Sequence, residues 1–176
     1  MFLKFQNSVT LLLISLVLPG CGFFPSLFSN DMIEIAGPKY STSNPVFLSY
    51  ISEFEKEVGV SASQIPIVFE NVKAGGEQVV GTCNYYPGGA EVYIDQKYWE
   101  LASDECKKQL IWHELGHCAL NRDHKDTIYR SFPVSVMVSI ISSCFLTEEN
   151  YQAYADELRF SRDVGVMESI DDFFGF

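Results

Sequence analysis

All three histidines of the chain lie in one stretch of sequence, His113-Glu114-Leu115-Gly116-His117-Cys118-Ala119-Leu120-Asn121-Arg122-Asp123-His124. The residues before it have helical periodicity, and Ser103 can cap a helix whose first turn carries two acidic side chains. A helix over residues 103–121 places His113 and His117 four residues apart on one face, where both imidazoles can bind one ion. The stretch therefore predicts a metal site on a helix.

Glu114 directly follows the first histidine of this pair. It lies about 100° around the helix from His113, so its carboxylate can reach a water at the ion without binding the ion. Neutral imidazoles leave most of the positive charge of zinc to acidify that water, and a carboxylate can then accept the proton. The pattern predicts a zinc hydrolase with Glu114 as the general base. A helix whose histidines only make local hydrogen bonds is the alternative.

The same stretch resembles HExxHxxGxxH, sometimes with Asp last, the signature of the metzincin clan of zinc metallopeptidases. In that clan the Gly ends the helix in a left-handed turn, and the third ligand lies three residues beyond it. A literal alignment places Leu120 at the Gly and Asp123 at the ligand. Leu tolerates a positive φ poorly, whereas Asn121 adopts it readily. Moving the turn to Asn121 makes His124 the expected third ligand, with Asp123 as the alternative.

The resemblance covers about residues 90–137 and includes Met137, which stands where metzincins have a Met-turn, an apolar floor beneath the metal. Many metzincins place a Tyr two residues after this Met to steady the oxyanion, but Ser139 occupies that position here. The resemblance implies an α+β fold in which a small twisted sheet packs on helices, with a cleft between an edge strand and the active-site helix. It also implies peptide or protein substrates.

Other elements are predicted from periodicity. We expect an amphipathic helix over residues 46–58, strands over 65–69, 78–83 and 90–95, and a helix from Thr147 to about Arg162. Pro87-Gly88-Gly89 predicts the turn of a hairpin. An extended substrate could pair with an edge strand near residues 91–95.

The N-terminal residues have the layout of a secretory signal. Lys4 is the only charged residue before an apolar stretch at 9–18, and Leu18-Pro19-Gly20-Cys21 resembles a bacterial lipobox, in which the Cys is acylated. An ordinary signal peptide cut near Gly20 is the alternative. We expect residues 1–20 to be a lipoprotein signal peptide, 21–45 to comprise lipidated Cys21 and a flexible tether, and 46–176 to be the metzincin-like catalytic domain.

Four further cysteines are even in number, as expected for two disulfides in an oxidising compartment. Cys106 and Cys118 lie on the same predicted helix about 18 Å apart, so they cannot pair with each other. This leaves two pairings, of which we favour Cys83 with Cys118 and Cys106 with Cys144. The alternative joins Cys83 to Cys106 and Cys118 to Cys144.

Composition limits the remaining function classes. The 176 residues carry a net charge of −11, which opposes binding to nucleic acid. No apolar run reaches the roughly eighteen residues of a membrane-spanning helix, so we expect a membrane contact through the lipid anchor only. We therefore expect a monomeric zinc peptidase on the bacterial cell envelope, with the outer membrane favoured. The alternatives are a binding lipoprotein stabilised by zinc and an assembly or adhesion factor without peptidase activity.

Overall fold

The computed structural model describes residues 37–74, 77–140 and 143–174. The predicted signal peptide, Cys21 and the tether up to residue 36 lie outside these residues. Within the described ranges, no helix combines the length and the apolar character needed to cross a membrane.

A three-stranded sheet forms the β part of the fold. Its strands are β1 (Ile67–Phe69), β4 (Gly81–Tyr86) and β5 (Gly89–Ile94), in the order β1-β5-β4. β5 pairs in parallel with β1 and forms an antiparallel hairpin with β4 through the predicted turn at Pro87 and Gly88. The short strands β2 (Lys73–Ala74) and β3 (Glu77–Gln78) form one further ribbon, and β6 (Ile128–Tyr129) and β7 (Phe132–Pro133) form another.

The expectation that residues 91–95 form an edge strand is wrong. β5 has a neighbour on both sides, so its backbone hydrogen bonds are used within the sheet. The strand at the edge is β4, which the periodicity placed three residues too early. The hydrophobic alternation of β5 predicts a strand, but it does not indicate whether that strand lies at the edge or in the centre of the sheet.

Helices make up the rest of the fold. A 3-10 turn (Pro45–Phe47) leads into α1 (Leu48–Val58), and α2 (Gln96–Leu101) precedes α3 (Asp104–Leu120). The last helices are α4 (Tyr151–Phe160) and α5 (Asp163–Phe174). α4 begins later than expected from Thr147, because the Asn150 side chain accepts the Thr147 N–H at 2.8 Å and forms a turn first. The mixed architecture confirms the α+β class.

α3 lies at the centre of the core. Ser103 caps it by accepting the Cys106 N–H, and Asn121 ends it in the left-handed conformation at φ 52°, as predicted. The helix is buried continuously from Lys108 to Gly116, so the polar residues of its middle must find partners or functions inside the protein. The apolar residues that fill the surrounding core include Phe47, Phe54, Ile67, Val92, Trp112, Leu146 and Leu158.

Two disulfides join α3 to its neighbours. Cys118 is bonded to Cys83 of β4, with Cα atoms 5.6 Å apart, and Cys106 is bonded to Cys144, with Cα atoms 5.0 Å apart. The favoured pairing is therefore the one present. Gln109 adds a third link, because its side-chain oxygen accepts the Phe145 N–H at 2.9 Å.

The segment before the first helix also contacts the sheet. The buried carboxylate of Glu91 accepts the backbone N–H of Tyr40 at 3.1 Å, and Asn44 donates its N–H to the Ile67 carbonyl at 2.8 Å. Residues 37–44, which the composition assigned to the tether, thus pack against the folded domain.

Candidate metal centre and cleft

Three imidazoles converge at the C-terminal end of α3. His113 and His117 lie on the helix, and the left-handed turn at Asn121 redirects the chain so that His124 meets them. The three Nε2 atoms form a nearly equilateral triangle with sides of 3.2, 3.3 and 3.3 Å. Among the described residues, this is the group of ligand-type side chains that can share one ion, and Asp123 is not part of it.

Backbone carbonyls fix the orientation of two of these rings. His113 Nδ1 lies 2.8 Å from the Val136 carbonyl oxygen, and His117 Nδ1 lies 2.6 Å from the Arg122 carbonyl oxygen. A carbonyl can only accept, so the proton of each neutral ring is on Nδ1 and the Nε2 lone pair is free. Burial lowers the pKa of His113 to about 4 and also lowers the pKa of His117, which keeps both rings neutral.

This arrangement fits a divalent cation. Neutral rings with protons on Nδ1 direct their Nε2 lone pairs at one another, an arrangement that needs a positive charge between them. Nitrogens bound to one tetrahedral zinc ion at about 2.0–2.1 Å are separated by about 3.3–3.4 Å, which matches the triangle. The structure thus brings together three residues able to bind a metal ion, at a spacing that a tetrahedral zinc ion would fit.

Glu114 points into the same cleft and is unusual for a buried acid. Its side chain is only 4% exposed, and its Oε2 has no hydrogen-bond partner. Burial raises the pKa of its carboxyl to about 8 in the absence of a cation. A buried carboxyl oxygen without a partner is costly for stability, and such groups are found more often at functional sites than elsewhere in proteins.

Gly81 of β4 makes room for this carboxylate. A Cβ atom at Gly81 would lie 2.6 Å from Glu114 Oε1 and 3.0 Å from its Cδ and Cγ atoms. No other residue type fits there without displacing Glu114, because the contact is closer than real Cβ atoms tolerate.

Met137 packs against α3 at Gly116. It is fully buried, and a Cβ atom at Gly116, between the two helical histidines, would overlap its sulfur. The preceding residue, Val136, supplies the carbonyl that orients His113. The Met137 carbonyl accepts the N–H of Lys125, which connects it to the loop that carries His124.

The cleft in front of the three histidines has a volume of about 570 Å³. β4 and the residues before it form one wall, and Ser139 and Ile140 form part of the other. Tyr85 and Ile140 line this cleft and are 59% and 74% exposed to solvent. Tyr85 donates its hydroxyl to the His117 carbonyl at 2.5 Å.

Ser139, two residues after Met137, has both of its hydrogen-bond donors engaged. Its N–H and its hydroxyl both donate to Asp126 Oδ1, at 2.7 and 2.8 Å. These bonds tie the chain two residues after Met137 to the loop after His124. They also leave Ser139 without a free proton to offer.

The sequence did not reveal every residue that shapes this site. Gly81 carries no local motif, and its importance follows only from its contact with Glu114. The histidine spacing was the one signal strong enough to locate the centre. No family model, curated protein or solved structure matches this chain, so the candidate site is defined by its own geometry.

Proposed function

We propose that this chain hydrolyses peptide bonds with a zinc ion bound by His113, His117 and His124. The observation that carries the proposal is the position of Glu114, a buried residue whose Oε2 has no hydrogen-bond partner, in the same cleft as three converging imidazoles. A purely structural metal site has no need for such a group, because a buried carboxyl oxygen that makes no hydrogen bond only destabilises the fold.

Bound zinc would supply a Lewis acid that polarises a carbonyl group and lowers the pKa of a water. Glu114 would accept a proton from that water and return it to the nitrogen of the leaving amine. Its poor solvation favours the protonated form, which makes the carboxylate a stronger base than an exposed glutamate. The positive charge of the ion opposes this shift and keeps the carboxyl ionised before the reaction.

The edge strand can align an extended substrate. The Asp95 N–H donates to the Val80 carbonyl at 2.9 Å, which makes that pair hydrogen-bonded across the β4–β5 ladder. Alternate residues of β4 therefore direct their backbone groups away from β5, namely Gly81, Cys83 and Tyr85. All three line the cleft, so a peptide added along β4 would run past the histidines.

Met137 is interpreted as a Met-turn residue in this proposal. Its burial, its contact with the helix between the two histidines, and the Val136 carbonyl bonded to His113 all support that role. We also infer a lipid-anchored envelope location from the lipobox-like sequence at Cys21, with the two disulfides as weaker support.

The competing function is a binding lipoprotein that keeps zinc as a structural ion. That role predicts a filled fourth ligand position, for which Asp123 was the candidate. The three histidines are the described residues close enough to share an ion, which favours an open fourth position and hence catalysis.

The Glu114→Gln variant tests the proposal. It should retain one equivalent of zinc and the fold, and lose on the order of 10²–10⁴-fold in turnover of a peptide, because an amide cannot accept the proton. Glu105→Gln is the matched control, since it makes the same change at an exposed position in the first turn of α3. Equal peptidase rates in the two variants, or no cleavage of a diverse peptide library by the zinc-loaded wild type, would contradict the proposal.

A further inference from the structure

Glu157 of α4 is the second buried carboxylate near the metal centre. Its side chain is fully buried, but unlike Glu114 it is surrounded by donors. Ser135 donates its hydroxyl to Oε2 at 2.6 Å. Lys125 Nζ lies 3.0 Å from Oε1, and the Arg122 guanidinium lies 3.5 Å from the same atom. A single carboxylate thus joins three separate points of the chain.

Each of these three residues, Arg122, Lys125 and Ser135, is connected to a different histidine. Arg122 supplies the carbonyl that accepts the His117 Nδ1–H. Lys125 directly follows His124, and its N–H donates to the Met137 carbonyl at 2.8 Å. Ser135 accepts the Met137 N–H at 3.1 Å, which holds the turn in which Val136 supplies the carbonyl for His113.

Two of the links have additional anchors. The Arg122 guanidinium also donates to Ser161 at the end of α4, and the Lys125 ammonium also pairs with Asp163 at the start of α5. The loop that carries His124 is therefore fastened to the C-terminal helices by two cations. Glu157 is the acceptor that these two cations share.

We propose that Glu157 is a positioning residue that sets the orientation of all three imidazoles for the metal ion. The inference rests on the proposed metal centre. Glu157 does not face the cleft or touch the triangle of Nε2 atoms, so it acts through the carbonyls and the loop that hold the rings. Groups that orient metal ligands typically contribute 10–100-fold to metal affinity.

A purely structural ion-pair cluster is the alternative. It would lower the stability of the fold when broken, but it would leave the metal affinity of the molecules that remain folded unchanged. Metal affinity, measured well below the unfolding temperature, therefore distinguishes the two roles.

The test is the zinc dissociation constant of Glu157→Gln, measured by competition with a chromophoric chelator. The amide keeps the size of the side chain but cannot accept on both ends, so we expect zinc binding to weaken about 10–100-fold. Asp156→Asn is the matched control, because it makes the same change at the exposed neighbouring position of α4. The visible absorption of the cobalt(II)-loaded proteins should differ between the two variants, since it reports the ligand geometry.

If Glu157→Gln does not fold, the Ser135→Ala variant provides the test instead. It removes one link while Glu157 stays paired with Lys125, and we expect a several-fold weaker zinc affinity. Zinc affinity equal to that of Asp156→Asn in the folded variants would overturn the inference. A wild type that binds no zinc would instead overturn the metal centre itself, so the two failures are distinguishable.

Discussion

Gly81 of β4 and Glu114 of α3 are in contact across the cleft, with the position of a Gly81 Cβ atom only 2.6 Å from Glu114 Oε1. β4 approaches the helix closely along this face. Two residues further on, Cys83 is bonded to Cys118, and Tyr85 reaches the His117 carbonyl. The edge strand and α3 are thus held together at alternate residues of the strand, and the Glu114 carboxylate fills the space that the glycine leaves.

Gly81→Ala should therefore impair catalysis without removing the metal. The added methyl group must push the Glu114 carboxylate aside, and a displacement of about 1 Å of a catalytic group costs on the order of 10²-fold in rate. We expect unchanged zinc content and a turnover number lowered by about this factor, measured by peptide cleavage and metal analysis on the same sample.

Gly165→Ala provides the control for Gly81→Ala. Gly165 lies in α5, and a Cβ atom there meets no atom within 4 Å. This variant should keep full activity and gain slight helix stability. Activity in Gly81→Ala equal to that of this control would show that Glu114 is not constrained by β4.

The two disulfides should contribute similarly to stability but differently to activity. They close loops of similar length, with sequence separations of 35 and 38 residues, so replacing either pair by serines should cost about 2–4 kcal/mol. Of the two disulfides, the one between Cys83 and Cys118 ties the cleft wall to the helix beside His117, and the other does not. We expect its loss to lower peptidase activity in the protein that stays folded, with the Cys106–Cys144 double variant as the control.

Denaturant unfolding and peptide cleavage measure these two effects separately. An equal activity loss in both double variants would mean that the disulfides act on the fold as a whole and not on the cleft wall.

The local pattern of the sequence was enough to predict α3, its cap at Ser103 and its end at Asn121. It was also enough to predict the hairpin of β4 and β5, because a turn sequence between two alternating runs indicates that these two strands pair with each other. It could not place β5 at the centre of the sheet, since hydrophobic alternation is the same for a strand with one neighbour or two. The contacts of Gly81 with Glu114 and of Ser135 with Glu157 join residues that are far apart in the sequence. No local sequence pattern predicts such contacts.

α5 and α2 were missed for a different reason. α2 is only six residues long and is held by its cap, where the Asp95 side chain accepts the Tyr98 N–H at 2.7 Å. Such a short helix has too few residues to display a period. α5 follows α4 after the left-handed Ser161 at φ 57°, a conformation that serine rarely adopts and that the sequence did not suggest.

Glu55 should make the stability of the domain depend on acid pH. Its Oε1 accepts the N–H groups of Ala62 and Ser63, each at 2.7 Å, and these bonds lower the pKa of its carboxyl below the ordinary value. The lowered pKa means that the folded state binds the proton less tightly than the unfolded state. The stabilisation is therefore complete above about pH 4.5 and is lost as the pH falls through the folded-state pKa.

Glu55→Gln should remove this pH-dependent contribution. We expect a loss of about 1 kcal/mol in the free energy of unfolding at neutral pH, because the group is partly exposed to solvent, and a smaller loss in acid. Urea unfolding at several pH values measures both. Glu168→Gln, at an exposed position of α5, is the control, and an identical pH dependence in the two variants would contradict the role assigned to Glu55.

Removal of the third histidine should abolish zinc binding, whereas removal of its acidic neighbour should not. His124 belongs to the triangle of Nε2 atoms, and Asp123, one residue earlier, is exposed and outside that group. His124→Ala leaves two imidazoles, too few for a tetrahedral site with one open position, so we expect the purified variant to contain no zinc. Asp123→Ala should keep one equivalent.

The same pair of variants also predicts how chelation changes stability. A ligand present at 100 times its dissociation constant stabilises the folded state by about 2.7 kcal/mol. A chelator should therefore lower the melting temperature of the wild type and of Asp123→Ala by several degrees, and should leave that of His124→Ala unchanged because no ion remains to be removed. A melting temperature of His124→Ala that falls with chelator as much as the wild type does would show that zinc is held elsewhere, and the arrangement of ligands proposed here would have to be abandoned.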